Sequence, residues 1–434
     1  MFSPRRASGL PGRAASGVAL PEPGRAGRRP GFPRGALYAA RVHAGSEQRG
    51  GRPAVGDWEA VSRPARPIVK ELLVNGPRTR TELARRLGLS NGSLTRLTKP
   101  LVESGLLVER GTVHDPVNGH PTRPLDVVAD AYHFLGVKLT SDHMHAVVTD
   151  LRSEVAAERS EPLGDRTPEG VAAQARDLMD RLARDSAKPA AAGFALGGRA
   201  SPGGDAAEAG LFDAPFLGWR RVSLESVLNA AMGIPCVVRN DVHALARGQH
   251  WFGEARGLTD FALATAGAGI GYAVCRDGRI LETTEEDVVA FGHHILDPGG
   301  PMCPTGHRGC ISAYLSTGAL LSAAAYGLHR PVSPEEIARR ARQGDVVCGD
   351  IARLAGWAVG AVAAGIANHT SVRTVLVAGE SVDVILAGSR HIEQGLSERH
   401  FSGSVDILTL SSSSTDWSRG GAVEAIRAFV IRDG

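Results

Sequence analysis

Apolar positions change their period twice along this chain, and each change marks a different kind of segment. Residues 1–60 are rich in Gly, Pro, Ala and Arg and hold neither a 3.6-residue nor a 2-residue period. Such a stretch buries too little apolar surface to offset its ordering entropy, so residues 1–62 are expected to be disordered. Order is expected to begin near Pro67. Ile68, Leu72 and Leu73 share one face of a short helix that Asn75-Gly76-Pro77 ends. Thr79 with Glu82 three residues on is the capping-box pattern of a second helix, with Leu83 and Leu87 inward and Gly88 as its stop. Ser90 can cap a third helix that runs to about Ser104, with Leu94, Leu97 and Leu101 inward. Residues 106–108 and 125–128 read as strands either side of a turn-rich loop. Three short helices and a two-stranded wing predict a winged helix-turn-helix over residues 63–130.

Beyond Tyr132 strands and helices alternate. The pattern predicts a hairpin from 134–139 and 146–150, a helix over 168–187, and strands at 191–196 and 235–239 around a helix at 224–232. Strands at 261–265 and 271–275 flank a glycine loop, and a helix over 351–368 precedes a buried strand at 374–378. This is an α/β pattern with mixed sheets, and residues 131–434 suit two similar lobes with a cleft between them.

Composition narrows the class. Hydrophobic content of 43% and charged content of 22% are those of a soluble globular protein. No apolar run approaches the roughly 18–20 residues of a membrane span, and Pro, Gly and Arg interrupt every N-terminal apolar stretch. Cys236, Cys275, Cys303, Cys310 and Cys348 form no disulfide framework, which points to a reducing cytoplasm. The formal net charge of +3 is unevenly spread: residues 1–66 carry +8 and residues 67–125 carry +4, leaving about −9 for the rest. Polyanion contact is therefore expected at the front of the chain.

The third helix of the head is the element that would enter a DNA major groove. With its leucines turned inward, Ser90, Asn91, Ser93, Thr95, Arg96 and Lys99 are left for DNA. Asn suits adenine, Arg suits guanine or phosphate, and the hydroxyls suit phosphates.

Further along, the chain reads Gly119-His120-Pro121, Gly218-Trp219, Asn240-Asp241, Gly267-Ala268-Gly269-Ile270-Gly271, Gly292-His293, a Cys303–Cys310 loop, Asn368 and Val377-Ala378-Gly379-Glu380. In this order, from about Arg66 to the end, the set resembles the ROK family of repressors and sugar kinases. The resemblance implies a winged helix-turn-helix followed by a two-lobed actin-like, sugar-kinase-like fold of the ribonuclease H-like ATPase type. It also implies that Asp241 stands where family kinases keep the base, with Asn240 and His293 as further sugar contacts. The first phosphate loop of family kinases reads like Asp-Ile-Gly-Gly-Thr; here residues 136–142 lack the glycine pair, so no ATP is expected. Ala290 and Ser312 stand where two sugar-binding glutamates would be.

The resemblance further implies a structural zinc held by one His and three Cys. Here the middle cysteine is Thr305, a poor zinc ligand, and His307 is the candidate fourth donor beside His293, Cys303 and Cys310. A metal-free loop with two buried thiols is the other reading. The expected function is a DNA-binding transcriptional regulator, a repressor in character and not an enzyme. It would bind a double-stranded operator as a homodimer and sense a sugar or phosphosugar, with no membrane contact. The alternatives are a sugar kinase carrying a DNA-binding head, and a regulator whose C-terminal domain only dimerises.

Overall fold

The computed structural model describes residues 61–114, 121–200, 211–281, 290–400, 403–410 and 413–432. Residues 1–60, and Gly119 and His120 of the expected wing motif, lie outside these. The head is built where its caps place it. Helix α1, Arg66–Asn75, buries Ile68, Val69, Leu72 and Leu73, and Gly76 ends it at a positive φ of 84°. In α2, Arg80–Leu87, both halves of the Thr79–Glu82 capping box are formed, and Gly88 closes the helix in the left-handed region. Helix α3, Asn91–Glu103, opens on Ser90, whose hydroxyl accepts from the Ser93 N–H, and buries Leu94, Thr98 and Leu101. Strand β1, Leu107–Glu109, precedes a short hairpin of β2, Val113–His114, and β3, Pro121–Thr122; β4, Leu125–Val127, then pairs antiparallel with β1. The wing is thus a two-strand base extended by a second small ladder.

Lobe 1 centres on β5, Phe134–Leu139. It is joined by β6, His143–Thr149, β7, Val155–Pro162, and, after helix α4, Pro168–Asp185, by β8, Ala191–Leu196. A small sheet of β9, Arg199–Ala200, β10, Phe212–Ala214, and β11, Trp219–Val222, leads through α5, Leu224–Met232, to β12, Cys236–Asn240. The main sheet runs β12-β8-β5-β6-β7, parallel at β12, β8 and β5 and antiparallel beyond. Helices α4 and α5 bury their apolar faces with it.

Helix α6, Asp241–Phe252, crosses to lobe 2. There β13, Phe261–Ala266, β14, Ile270–Arg276, β15, Arg279–Ile280, β16, Thr374–Ala378, and β17, Asp406–Thr409, form a sheet in the order β15-β14-β13-β16-β17. The helix Val346–Thr370 is 25 residues long and supplies much of this lobe's core. It is long and apolar enough to cross a membrane by length and composition, although Asp350 and Arg353 interrupt its apolar run. Its apolar side is taken up by Ala352, Ala355, Ala358, Val359 and Val362 in the lobe 2 core.

The last helix, Ser414–Ala425, continues through a π-helical stretch, Ile426–Ile431, and holds the molecule together. It lies directly on the lobe 1 sheet: a Cβ on Gly136 would fall 1.9 Å from the Ser418 carbonyl oxygen, and one on Gly193 as close to that of Gly421. Its Ala422, Val423, Ala425, Ile426, Val430 and Ile431 belong to one apolar cluster with Ile68, Leu72, Leu94, Leu101 and Leu125 of the head. The head therefore has no separate core; it shares one with lobe 1.

Candidate functional site

Three groups of residues stand out. The first is the free face of α3. Asn91, Thr95, Arg96 and Lys99 are exposed, Ser90 caps the helix, and Ser93 is half-buried beside it. The Thr95 hydroxyl donates to the Asn91 carbonyl at 3.0 Å, and Lys99 faces Glu103 at 3.8 Å. Leu94 and Leu101 are fully buried, while Leu97 is only partly so. The expected division between an apolar face and a polar face is present.

The second is the edge of lobe 1 where β12 ends and α6 begins. Asn240 does what the residue before a helix does: its Oδ1 accepts from the Val242 and His243 N–H groups, and its Nδ2 donates to the Gly198 carbonyl. Asp241 Oδ1 accepts from Val242 N–H at 2.9 Å, and Oδ2 is paired with Lys138 Nζ. Both side chains of that pair are 12% exposed. Lys138 also sits over the Trp417 ring, 4.7 Å from its centroid. No hydrogen bond or ion pair joins His293 to Asn240 or Asp241 among the described residues; His293 is drawn into the thiol loop instead. Ala290 lines an apolar cavity of about 540 Å³ between β14 and the Val346–Thr370 helix, together with Tyr272, Phe291 and Ile366. Ser312 donates to the Gly292 carbonyl at 2.8 Å. On the lobe 2 side, the Ala268 N–H of the glycine loop donates to Glu380 Oε2 at 3.2 Å.

The third is that thiol loop. The ligand atoms of His293, Cys303 and Cys310 all lie within 4.8 Å of one another. Cys303 Sγ is 3.9 Å from His293 Nδ1 and 3.8 Å from His307 Nδ1; Cys310 Sγ is 3.8 Å from His293 Nδ1; the two imidazole nitrogens are 3.1 Å apart. With Zn–S of about 2.3 Å and Zn–N of about 2.0–2.1 Å, the edges of a tetrahedral site are about 3.3–3.8 Å, close to the His293–Cys303 and His293–Cys310 separations, whereas His307 lies outside the set of three ligand atoms that are all near one another. Thr305 Oγ1 lies 3.0 Å from Cys303 Sγ and 3.2 Å from His307 Nδ1, a hydroxyl that binds the ligands rather than a donor of thiolate strength. Burial pushes the Cys303 thiol up, but hydrogen bonds from Thr305, the His307 backbone and Cys310 outweigh it and bring it down to about 6. Burial, and then the neighbouring Cys303 sulfur, raises Cys310.

Sequence reasoning gave no role to Lys138 or Trp417 and named Glu380 only as part of a family motif. Lys138 lies in the very stretch that lacks the phosphate-loop glycines, and a lysine there was the available signal.

A winged head whose core runs into a two-lobed α/β body defines a DNA-binding protein with a sugar-kinase-like fold. Residues 134–414 match the ROK family model and residues 66–108 match the winged helix-turn-helix DNA-binding model. The chain belongs to the ROK family. It is 24% identical over 317 residues to the DNA-binding transcriptional repressor Mlc of Escherichia coli, covering 70% of this chain and 77% of that protein. Its fold is similar to the crystal structure of a ROK family transcriptional regulator described as a homologue of the E. coli Mlc protein (TM-score 0.70, 20% identity, covering 87% of this chain and 98% of that one). It is also similar to the ROK hexokinase of Thermus thermophilus (TM-score 0.57, 24% identity, 70% and 100% coverage). The family thus contains both repressors and kinases.

Proposed function

We propose that this chain is a cytoplasmic transcriptional repressor that binds an operator as a homodimer through α3 and the wing, and whose cleft at Asn240 and Asp241 senses a sugar or phosphosugar. The observation that carries it is the exposed polar face of α3, with Asn91, Thr95, Arg96 and Lys99, on a head whose apolar core is continuous with lobe 1. A shared core ties the reading element to the lobe that would feel a ligand.

Phosphoryl transfer is disfavoured on chemical grounds. It needs a free carboxylate base and backbone N–H groups open to phosphate. Here Asp241 is ion-paired with Lys138, the Ala268 N–H already donates to Glu380, and Thr140-Ser141 replaces the glycine pair. In the same reading His293, Cys303, His307 and Cys310 would hold a structural zinc that fixes the loop beside the cleft.

A gel shift with the DNA flanking its own gene, at near-physiological salt and with excess competitor, tests the regulator. A specific band is expected, and Arg96→Ala weakens it by about tenfold or more, the worth of one base-reading arginine. Weak binding erased by salt for every sequence would sink the reading.

A further inference from the structure

One ammonium group touches three parts of the molecule. Lys138 rises from β5, pairs with Asp241 at the first turn of α6, and lies under Trp417 of the C-terminal helix. Trp417 in turn packs against the apolar cluster of Val242, Leu245, Leu376 and Leu410, which belongs to α6 and lobe 2. Five residues further along, at Ala422, the same helix enters the cluster that contains the head's leucines. The pair is largely withdrawn from water, so removing either member leaves a buried charge without its partner.

We propose that Lys138 is the transmitting residue of the effector cleft: a ligand hydroxyl inserts between Lys138 and Asp241, and the displaced ammonium frees Trp417 and the helix on which the head rests. The inference rests on the regulator reading above. Its chemistry requires a neutral, hydroxyl-rich ligand. A hydroxyl donates to Asp241 Oδ2 while accepting from Lys138 Nζ, so neither charge is stranded. The cation–π contact is then lost, because the ammonium cannot hold its place over the ring and bond the inserted oxygen together. The C-terminal helix carries the change to the head because glycines let it lie against the sheet backbone and leave it little play.

The test needs no identified ligand, because a substitution can break the lock. Amide hydrogen exchange across residues 414–431 is compared for the wild-type chain, Lys138→Met, Lys138→Arg and Asp241→Asn. Operator affinity of the same proteins is read by fluorescence anisotropy. Lys138→Met is expected to raise exchange in that helix at least tenfold and to weaken operator binding about tenfold. Asp241→Asn should do the same, and the double variant should add little. Lys138→Arg should stay close to wild type. Unchanged exchange in Lys138→Met overturns the lock whatever the DNA does, as does an operator affinity within twofold of a wild type that binds. A wild type without specific binding overturns the regulator reading, and the exchange data still judge the lock. If Lys138→Met does not fold, Asp241→Asn gives the same reading from the other side of the pair.

Discussion

Arg152, in the turn between β6 and β7, leaves lobe 1 to pair with Asp126 in β4 of the head. Its guanidinium also donates to the Leu72 and Leu73 carbonyls at the end of α1, each at 3.4 Å. Asp126 is 2% exposed, and Arg110 holds its other oxygen in a two-pronged contact at 2.8 and 3.0 Å. A buried carboxylate gripped by one arginine from each domain is a rivet between them.

Arg152→Ala should therefore cost about 1–3 kcal/mol, because Asp126 keeps Arg110 but loses half its compensation. Asp126→Ala should cost more, since it strands both arginines. Thermal unfolding measures the loss. Hydrogen exchange should show it concentrated in α1 and β4, and a loss spread evenly over both lobes would contradict the assignment.

A second buried charge gives a pH signature. Glu424 is 1% exposed and faces Arg247 at 2.6 Å and Arg427 at 2.7 Å. Burial alone would raise its carboxyl, but the two guanidinium groups outweigh it and hold it below the usual 4.5. A depressed carboxyl stabilises the fold above its unfolded value, and that contribution is lost as pH falls through the folded value. Stability should hold above about pH 5 and decline below 4.5, less steeply in Glu424→Gln, which should be less stable at neutral pH. Denaturant midpoints from pH 3 to 7 measure both; identical slopes for the two proteins would refute this.

The thiol loop predicts a ranking of variants. Purified protein should carry close to one zinc per chain, His307→Ala should lose most of it, and Thr305→Ala should retain most. Elemental analysis after dialysis decides. Equal retention in all three would remove His307 from the ligand set, and no zinc in the wild type would leave the loop as a hydrogen-bonded thiol cluster.

Glu380 can be tested against nucleotide. Its carboxylate accepts from the Ala268 N–H of the glycine loop and would repel a phosphate brought there, so the wild type should show no calorimetric response to a non-hydrolysable ATP analogue at millimolar concentration. Glu380→Ala should tighten that binding measurably. Binding by the wild type itself would reopen the kinase alternative.

How far the residues alone carried the fold depends on how local the causes are. The head was legible because Thr79, Ser90, Gly76 and Gly88 announce their caps and stops within a turn. The long helix begins at Val346 rather than 351, because Asp345 caps it by accepting from Cys348 N–H at 2.9 Å. Strand β7 escaped notice since it is largely exposed and shows no apolar alternation. The C-terminal helix was hidden by its own Gly420-Gly421, which reads as loop; only its closeness to the sheet explains them. At the cleft, Asp241 and Asn240 could be named from the chain. The Lys138 pairing could not, since 103 residues separate the partners, and Asn240 proved to be committed to capping α6.

The shared core also sets an order of events during synthesis. The head leaves the ribosome well before residues 422–431, which complete its apolar cluster. At about 5–20 residues per second, roughly 15–60 seconds separate the two. Through that interval the nascent head lacks the apolar floor that residues 422–431 give it, so in the proposed regulator a half-made chain would bind DNA poorly. In the proposed regulator, a chain must therefore be translated past residue 431 before its head has the apolar support it needs to read DNA.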